Sequence, residues 1–228
     1  MPDPGARDTR ERKELLARFV AIFGSERLRF VTADREFIGF DWVAWLLQQG
    51  LPFRIRIKAG EYLLHQDGRE KRAREWFALQ GCRCKPKPME LWGLSVYVGG
   101  KHLHGTEYLI VISNQPGDLL SEYRRRWSIE TLFQALKGRG FDLESCRLSL
   151  THRLSGWFGF LSLGLCWCLK VGRYLDAVDP LPLKKHGRRA ISVFQRGLRE
   201  LQSLLSCLAG RPCQTRFCRV IEELCPVK

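Results

Sequence analysis

Acidic residues are scarce in this chain: 24 Asp and Glu stand against 38 Lys and Arg, a formal charge of +14 at pH 7. Uncompensated positive charge on this scale repels itself in a compact state and implies a polyanionic partner, nucleic acid first and an anionic membrane surface second. Long apolar runs are also missing. The most apolar stretch, Leu154 to Leu169, has 16 residues before Lys170 and includes Gly156, Gly159 and Gly164, whereas a bilayer span needs about 20 apolar residues. A buried helix is therefore the stronger reading of this stretch and a membrane span the weaker. None of the nine cysteines forms a Cys-x-x-Cys pair, so a zinc site made from Cys207, Cys213, Cys218 and Cys225 would lack the usual paired spacing. An odd cysteine count, irregular spacing that includes Cys82-x-Cys84 and Cys166-x-Cys168, and no secretory leader read as reduced thiols in a cytoplasm.

What is present suits a folded protein. Hydrophobic residues make up 45% of 228 positions, enough for one large domain or two small ones and too many for a disordered chain. Residues 1–9 are polar, contain two prolines and are expected to fray. From Arg10 to Phe23, Leu15, Leu16, Phe19, Val20 and Phe23 fall on one side of an amphipathic helix that Gly24 ends. Leu28 to Ala33 reads as a short strand that stops at Asp34. An Asp at the carboxyl end of a strand in an α/β sheet is held rigidly over the crevice where ligands collect. It is also a common helix cap, and local sequence leaves both readings open. A helix over Phe40 to Gln49 then ends at Gly50, and Phe53 to Lys58 alternates as a half-exposed strand with a cationic outer face.

Residues 60–115 change character. Glycines punctuate short runs such as Leu91 to Val98 and Thr106 to Ser113, which are predicted as strands joined by turns. Arg69, Lys71, Arg72, Arg74, Arg83, Lys85 and Lys87 make the first half basic, with Trp76 and Trp92 interleaved. These charges suit contact with backbone phosphates or a solvated surface. Trp92 suits either a core position or stacking on an unpaired base.

The stretch from Tyr123 to Lys137 places Leu, Phe, Ala and Ile at helical intervals with no Gly or Pro inside. It predicts one continuous helix opened near Pro116-Gly117-Asp118 and closed by Gly138 or Gly140. At about 100° per residue, Tyr123, Arg126, Glu130 and Lys137 share one stripe. A carboxylate able to hold a divalent cation, beside two cations and a phenol able to grip phosphate oxygens, suits phosphodiester chemistry. A solvated face of charge pairs is the bland alternative.

The spacing Tyr-x2-Arg-x3-Glu-x6-Lys resembles the signature of DDE-type insertion-sequence transposases of insertion-sequence family four, which includes the Tn-five-like cut-and-paste enzymes. Arg126-Trp127-Ser128-Ile129-Glu130, Phe141-Asp142-Leu143-Glu144 and Val31-Thr32-Ala33-Asp34-Arg35-Glu36-Phe37 are similar to segments of that family. The last of these resembles the segment that carries the family's second catalytic aspartate. The resemblance covers about residues 10 to 175.

It implies an α/β fold: a partial ribonuclease H-like core with a β-rich insertion and a helical carboxyl-terminal region. The implied division is a disordered tail at 1–9, the second half of the core with Asp34 at 10–59, the insertion at 60–115, core helices with Glu130 at 116–178 and a basic helical tail at 179–228. Leu154 to Leu169 would be a buried helix backing the glutamate helix. Asp34 and Glu130 would be catalytic ligands of Mg²⁺, with Tyr123, Arg126 and Lys137 gripping DNA phosphates. Double-stranded DNA is the implied partner, a homodimer is left open, and the location is cytoplasmic at the nucleoid. The family's first aspartate has no counterpart here, since only Asp3 and Asp8 precede the first helix. The expectation is accordingly a truncated transposase that binds DNA and is inactive alone, with a non-catalytic basic nucleic-acid-binding protein as the rival. From Lys170 onward, 12 Lys and Arg against five Asp and Glu supply half of the net charge, and Ile191 to Leu208 reads as an amphipathic helix after a Pro180-Leu181-Pro182 linker.

Overall fold

The computed structural model describes residues 4–78, 85–137, 140–142, 151–185, 187, 189–207, 218, 220 and 222. Arg83, Leu143, Glu144 and the cysteines Cys82, Cys84, Cys213 and Cys225 lie outside the described residues. The chain divides into two compact units, Met1–Trp127 and Ser128–Lys228.

The first unit opens with α1 (Pro4–Phe23). Helix therefore begins inside the segment expected to fray, and it begins on a proline, whose missing N–H is harmless in a first turn. Gly24 stops it at φ 81°, a backbone conformation that glycine reaches without penalty. A 3-10 turn at Ser25–Arg27 leads to β1 (Val31–Ala33), and a second at Arg35–Phe37 leads to α2 (Phe40–Gln48) and β2 (Phe53–Arg56). Because α2 carries the chain back across the sheet, β2 pairs parallel to β1. Then follow β3 (Tyr62–His65), β4 (Glu70–Arg72), α3 (Ala73–Trp76), β5 (Lys87–Leu91), β6 (Leu94–His102), β7 (Tyr108–Ser113) and α4 (Leu119–Tyr123).

The strands form one seven-stranded sheet in the order β1-β2-β7-β6-β5-β3-β4. All pairings after the first are antiparallel. The strands of 60–115 thus extend the same sheet that holds Asp34, because β7 returns to lie beside β2. Leu91 to Val98 is not a single strand. Trp92 and Gly93, at φ 55° and 78°, turn the chain between β5 and β6 as a two-residue hairpin.

Register settles which face each residue of the parallel pair occupies. Val31 lies opposite Phe53 and Ala33 opposite Ile55, and these four pack into the main core with Trp42, Val43 and Leu46 of α2. Thr32 lies opposite Arg54, so the even-numbered residues face the other way. That side is covered by α4, whose Leu119, Leu120 and Tyr123 cluster with Val111. The cationic face of β2 expected at a half-exposed surface is consequently closed over at Arg54, which is 4% exposed.

The helix predicted from Tyr123 to Lys137 is interrupted. Asp118 caps α4, its carboxylate accepting from the Ser121 amide at 3.3 Å. A 3-10 turn at Arg124–Arg126 then precedes α5 (Trp127–Leu136). Since a 3-10 turn winds at 3.0 residues per turn rather than 3.6, a stripe counted at constant 100° does not carry through it.

In the second unit, α6 (Thr151–Val178) and α7 (Val193–Cys207) cross at close range. Gly172 and Gly197 make that possible: a Cβ on the first would overlap the Val193 carbonyl oxygen, and a Cβ on the second the Cys168 carbonyl oxygen. Ala135, Cys168 and Phe194 form one buried cluster, joined at its edge by Phe141, Leu165 and Leu169. Cys168, Leu165 and Leu169 pack in the cluster that includes Ala135 of α5, but most of the apolar stretch, expected to be buried, is not: Trp157, Phe160, Leu163 and Trp167 are 53%, 75%, 50% and 43% exposed. Among the described residues, no helix is long and apolar enough to cross a membrane.

Candidate active site

Asp34 follows the last residue of β1, and the capping reading left open by its sequence is realised. Its carboxylate caps the following 3-10 turn, Oδ1 accepting from the Arg35 amide at 2.8 Å. The side chain also remains 30% exposed and faces three groups brought from elsewhere in the first unit.

The first is Arg56, at the end of β2. One rung beyond the Thr32–Arg54 pair, the parallel register sets Arg56 beside Asp34 on the same face of the sheet. Its Nη1 lies 3.9 Å from Asp34 Oδ1, and its Nη2 donates to the Tyr108 carbonyl at 3.0 Å. The Nε of Arg56 is buried without a hydrogen-bond partner. The second group is the Tyr123 phenol, which donates to Asp34 Oδ1 at 3.3 Å from the last residue of α4. The third is Arg126, whose Nη2 stands 3.8 Å from Asp34 Oδ2 and whose guanidinium lies 5.8 Å from the Tyr123 ring centroid.

These neighbours set the protonation states. Burial pushes the Asp34 carboxyl up, but the Arg35 amide, Arg126, Arg56 and the phenol together outweigh it and leave Asp34 below its ordinary value. Tyr123 is pushed up to about 12, first by burial and then by the Asp34 charge. The carboxylate is thus ionised and the phenol neutral across the physiological range. Both guanidiniums sit beyond the distance of a good hydrogen bond, so Asp34 is neutralised without being sealed off.

Behind this group lies an ion pair between buried Arg54 and half-buried Glu122. Arg54 Nε contacts Glu122 Oε2 at 2.6 Å, and its Nη1 donates to the Phe53 carbonyl at 2.8 Å and to the Ser113 hydroxyl. Its guanidinium also lies 5.4 Å from the Phe30 ring centroid.

Asp34, Tyr123 and Arg126, singled out from two distant motifs, are brought together. Glu130 and Lys137 belong to the second unit, Glu130 half-buried on α5 and Lys137 exposed just beyond it. Arg56 was not singled out in the sequence, because only the parallel register, which pairs Val31 with Phe53 and Ala33 with Ile55, brings position 56 opposite position 34. As a hard oxygen donor, the ionised Asp34 suits a Mg²⁺ ion. Among the described residues, however, no group of three or more His, Cys, Asp or Glu gathers as a metal site.

A second surface of the first unit interleaves cations with rings. Arg69 and Lys71 stand 5.5 Å and 5.6 Å from the Trp76 ring centroid, and Arg72 stands 5.6 Å from that of Tyr62. Trp92, expected in the core or on a base, is 38% exposed at its hairpin tip, with Nε1 donating to Glu61 at 3.2 Å.

A family model described as Transposase DDE domain matches residues 6–167, more than half of the chain. The chain belongs to the DDE transposase family. No curated protein matches it. The transposase domain is mixed α/β, as expected, and its mixed sheet with flanking helices is consistent with a ribonuclease H-like fold.

Proposed function

We infer that this chain is the catalytic portion of a cut-and-paste transposase similar to insertion-sequence family four, acting on the phosphodiester bonds of double-stranded DNA. The observation that carries this is the gathering of Asp34, Tyr123 and Arg126, which two separate sequence motifs named in advance. In this reading residues 10–59 and 116–178 form the core, 60–115 the β-rich insertion and 179–228 a basic tail.

Each residue has a role fixed by its chemistry. Asp34 and Glu130 are the carboxylates that would hold Mg²⁺, which when bound supplies positive charge to a reacting phosphate. Tyr123, neutral across the physiological range, serves only as a hydrogen-bond donor to a phosphate oxygen. Arg126 offers planar paired donors and Lys137 a point charge for neighbouring phosphates. The basic face around Trp76 tracks the DNA backbone, and exposed Trp92 provides a stacking surface for a base.

Two-metal phosphodiester chemistry needs more than these two carboxylates, so the residues are expected to bind DNA and not to cut it on their own. In this proposal they supply the carboxyl-terminal half of the enzyme.

The deciding experiment joins the chain to an upstream segment bearing an aspartate on a strand and offers it DNA carrying the element's ends. Mg²⁺-dependent nicking that Glu130→Gln abolishes is the expected result. DNA binding indifferent to Mg²⁺, Asp34→Asn and Glu130→Gln, with no nicking, would instead establish a non-catalytic basic nucleic-acid-binding protein.

A further inference from the structure

Tyr123 ends α4, a five-residue segment that runs directly into the 3-10 turn at Arg124–Arg126, so the placement of its phenol depends on what α4 touches as well as on the helical turns that follow. Leu119 and Leu120 hold it to the sheet by apolar contact, which attracts without fixing direction. Its directional anchor is elsewhere. Glu122, the residue before Tyr123, reaches down to Arg54, which is itself tied to the Phe53 carbonyl and to Ser113 of β7. Gly117 closes over the pair at φ 148°, and a Cβ there would come within 3.6 Å of Glu122 Oε2 and 3.8 Å of Arg54 Nη2.

We propose that the Arg54–Glu122 pair is a positioning device, which fixes α4 in the register that puts the Tyr123 phenol on Asp34. Arg54 and Glu122 touch neither DNA nor Asp34 in this assignment and act only through Tyr123. The consequence for phosphate gripping rests on the transposase reading, whereas the placement of the phenol does not.

The physical reason for an ion pair at this point is orientation rather than stability. Burying a guanidinium and a carboxylate costs desolvation energy that roughly offsets their attraction, and apolar replacements of similar volume are often as stable. What apolar replacements lack is a preferred angle. Arg54 donates in three directions, to Glu122, Phe53 and Ser113, so its guanidinium defines both the height and the rotation of the turn above it.

The test uses the full chain and the solvent accessibility of the Tyr123 ring, which is 6% exposed in the parent, read by photo-CIDNP NMR at neutral pH and assigned with Tyr123→Phe. The double variant Arg54→Met/Glu122→Gln removes one charge of each sign. It is expected to unfold within a few degrees of the parent. Its Tyr123 ring is expected to change from shielded to dye-accessible, as the phenol leaves its contact with Asp34. Glu122→Gln alone strands the buried Arg54 and should lose stability as well. Leu204→Ala, in the second unit, should lose stability without exposing the Tyr123 ring. A folded double variant whose Tyr123 ring stays as shielded as the parent's would overturn the proposal. So would failure of both variants to fold, because the pair would then be required for the whole unit and not for placing one side chain. Absence of nicking activity in the restored enzyme would count against the transposase reading and leave this result standing.

Discussion

The phenolic oxygen of Tyr123 lies 3.3 Å from the carboxylate of Asp34, across 89 residues of sequence. The contact joins the end of a parallel strand to the end of a one-turn helix, and each group alters the titration of the other. Several measurable consequences stem from it and from the packing around it.

Asp34→Asn keeps the cap on the 3-10 turn but removes the charge facing the phenol. The Tyr123 midpoint should drop below about 12, while burial holds it above the ordinary value. NMR titration of the ring-labelled protein measures this. A midpoint identical in parent and variant would mean that the two groups do not meet in solution.

Alkaline stability should carry the signature of the same phenol. The folded state raises the Tyr123 pKa from 10.0 to about 12, so it favours the protonated form. Stability from this source is fully present below pH 10 and is lost as pH rises through 12. Denaturant midpoints measured across that window should fall more steeply for the parent than for Tyr123→Phe. Parallel slopes would contradict the buried, neutral phenol.

The crossing of α6 and α7 requires glycine at position 197, where a Cβ would meet the Cys168 carbonyl oxygen. Gly197→Ala should destabilise by about 1–3 kcal/mol through overpacking. Gly159→Ala, also helical but with open space at the Cβ position, should instead stabilise by about 0.4–1 kcal/mol. Thermal unfolding of the two variants gives opposite signs if the crossing is as close as described, and equal small effects if it is not.

Trp92 occupies a turn position at φ 55° that favours Asn or Gly over a bulky ring. Trp92→Asn should leave the β5–β6 hairpin as stable or more so. If the ring stacks on a base, the same change should weaken single-stranded or end-DNA binding by about 1–3 kcal/mol. Fluorescence-anisotropy titrations at fixed salt decide this, and unaltered affinity would assign the ring to the turn alone.

Local features of the sequence determined most of the elements and the candidate site residues. Apolar spacing marked α1, α2 and α7, Asp34 announced itself at a strand end, and Tyr123, Arg126, Glu130 and Lys137 were selected by spacing. Elements also misread were those where backbone geometry competes with pattern. The Trp92-Gly93 hairpin hid inside an apolar run because a tryptophan gives no turn signal, and the 3-10 turn at Arg124–Arg126 hid because it interrupts no periodicity of residue type.

Only the tertiary structure decided that Arg56 faces Asp34 and that Arg54, two residues earlier, is closed off from solvent. Along the strand the two arginines look alike, since alternation assigns both to one face and says nothing about what covers it. Register placed Arg56 one rung beyond Thr32–Arg54, at the open end beside Asp34, while α4 came down over Arg54 and supplied Glu122. A sequence fixes which groups a face carries. Which of them meet is fixed by partners that arrive from far along the chain, and no local pattern encodes that arrival.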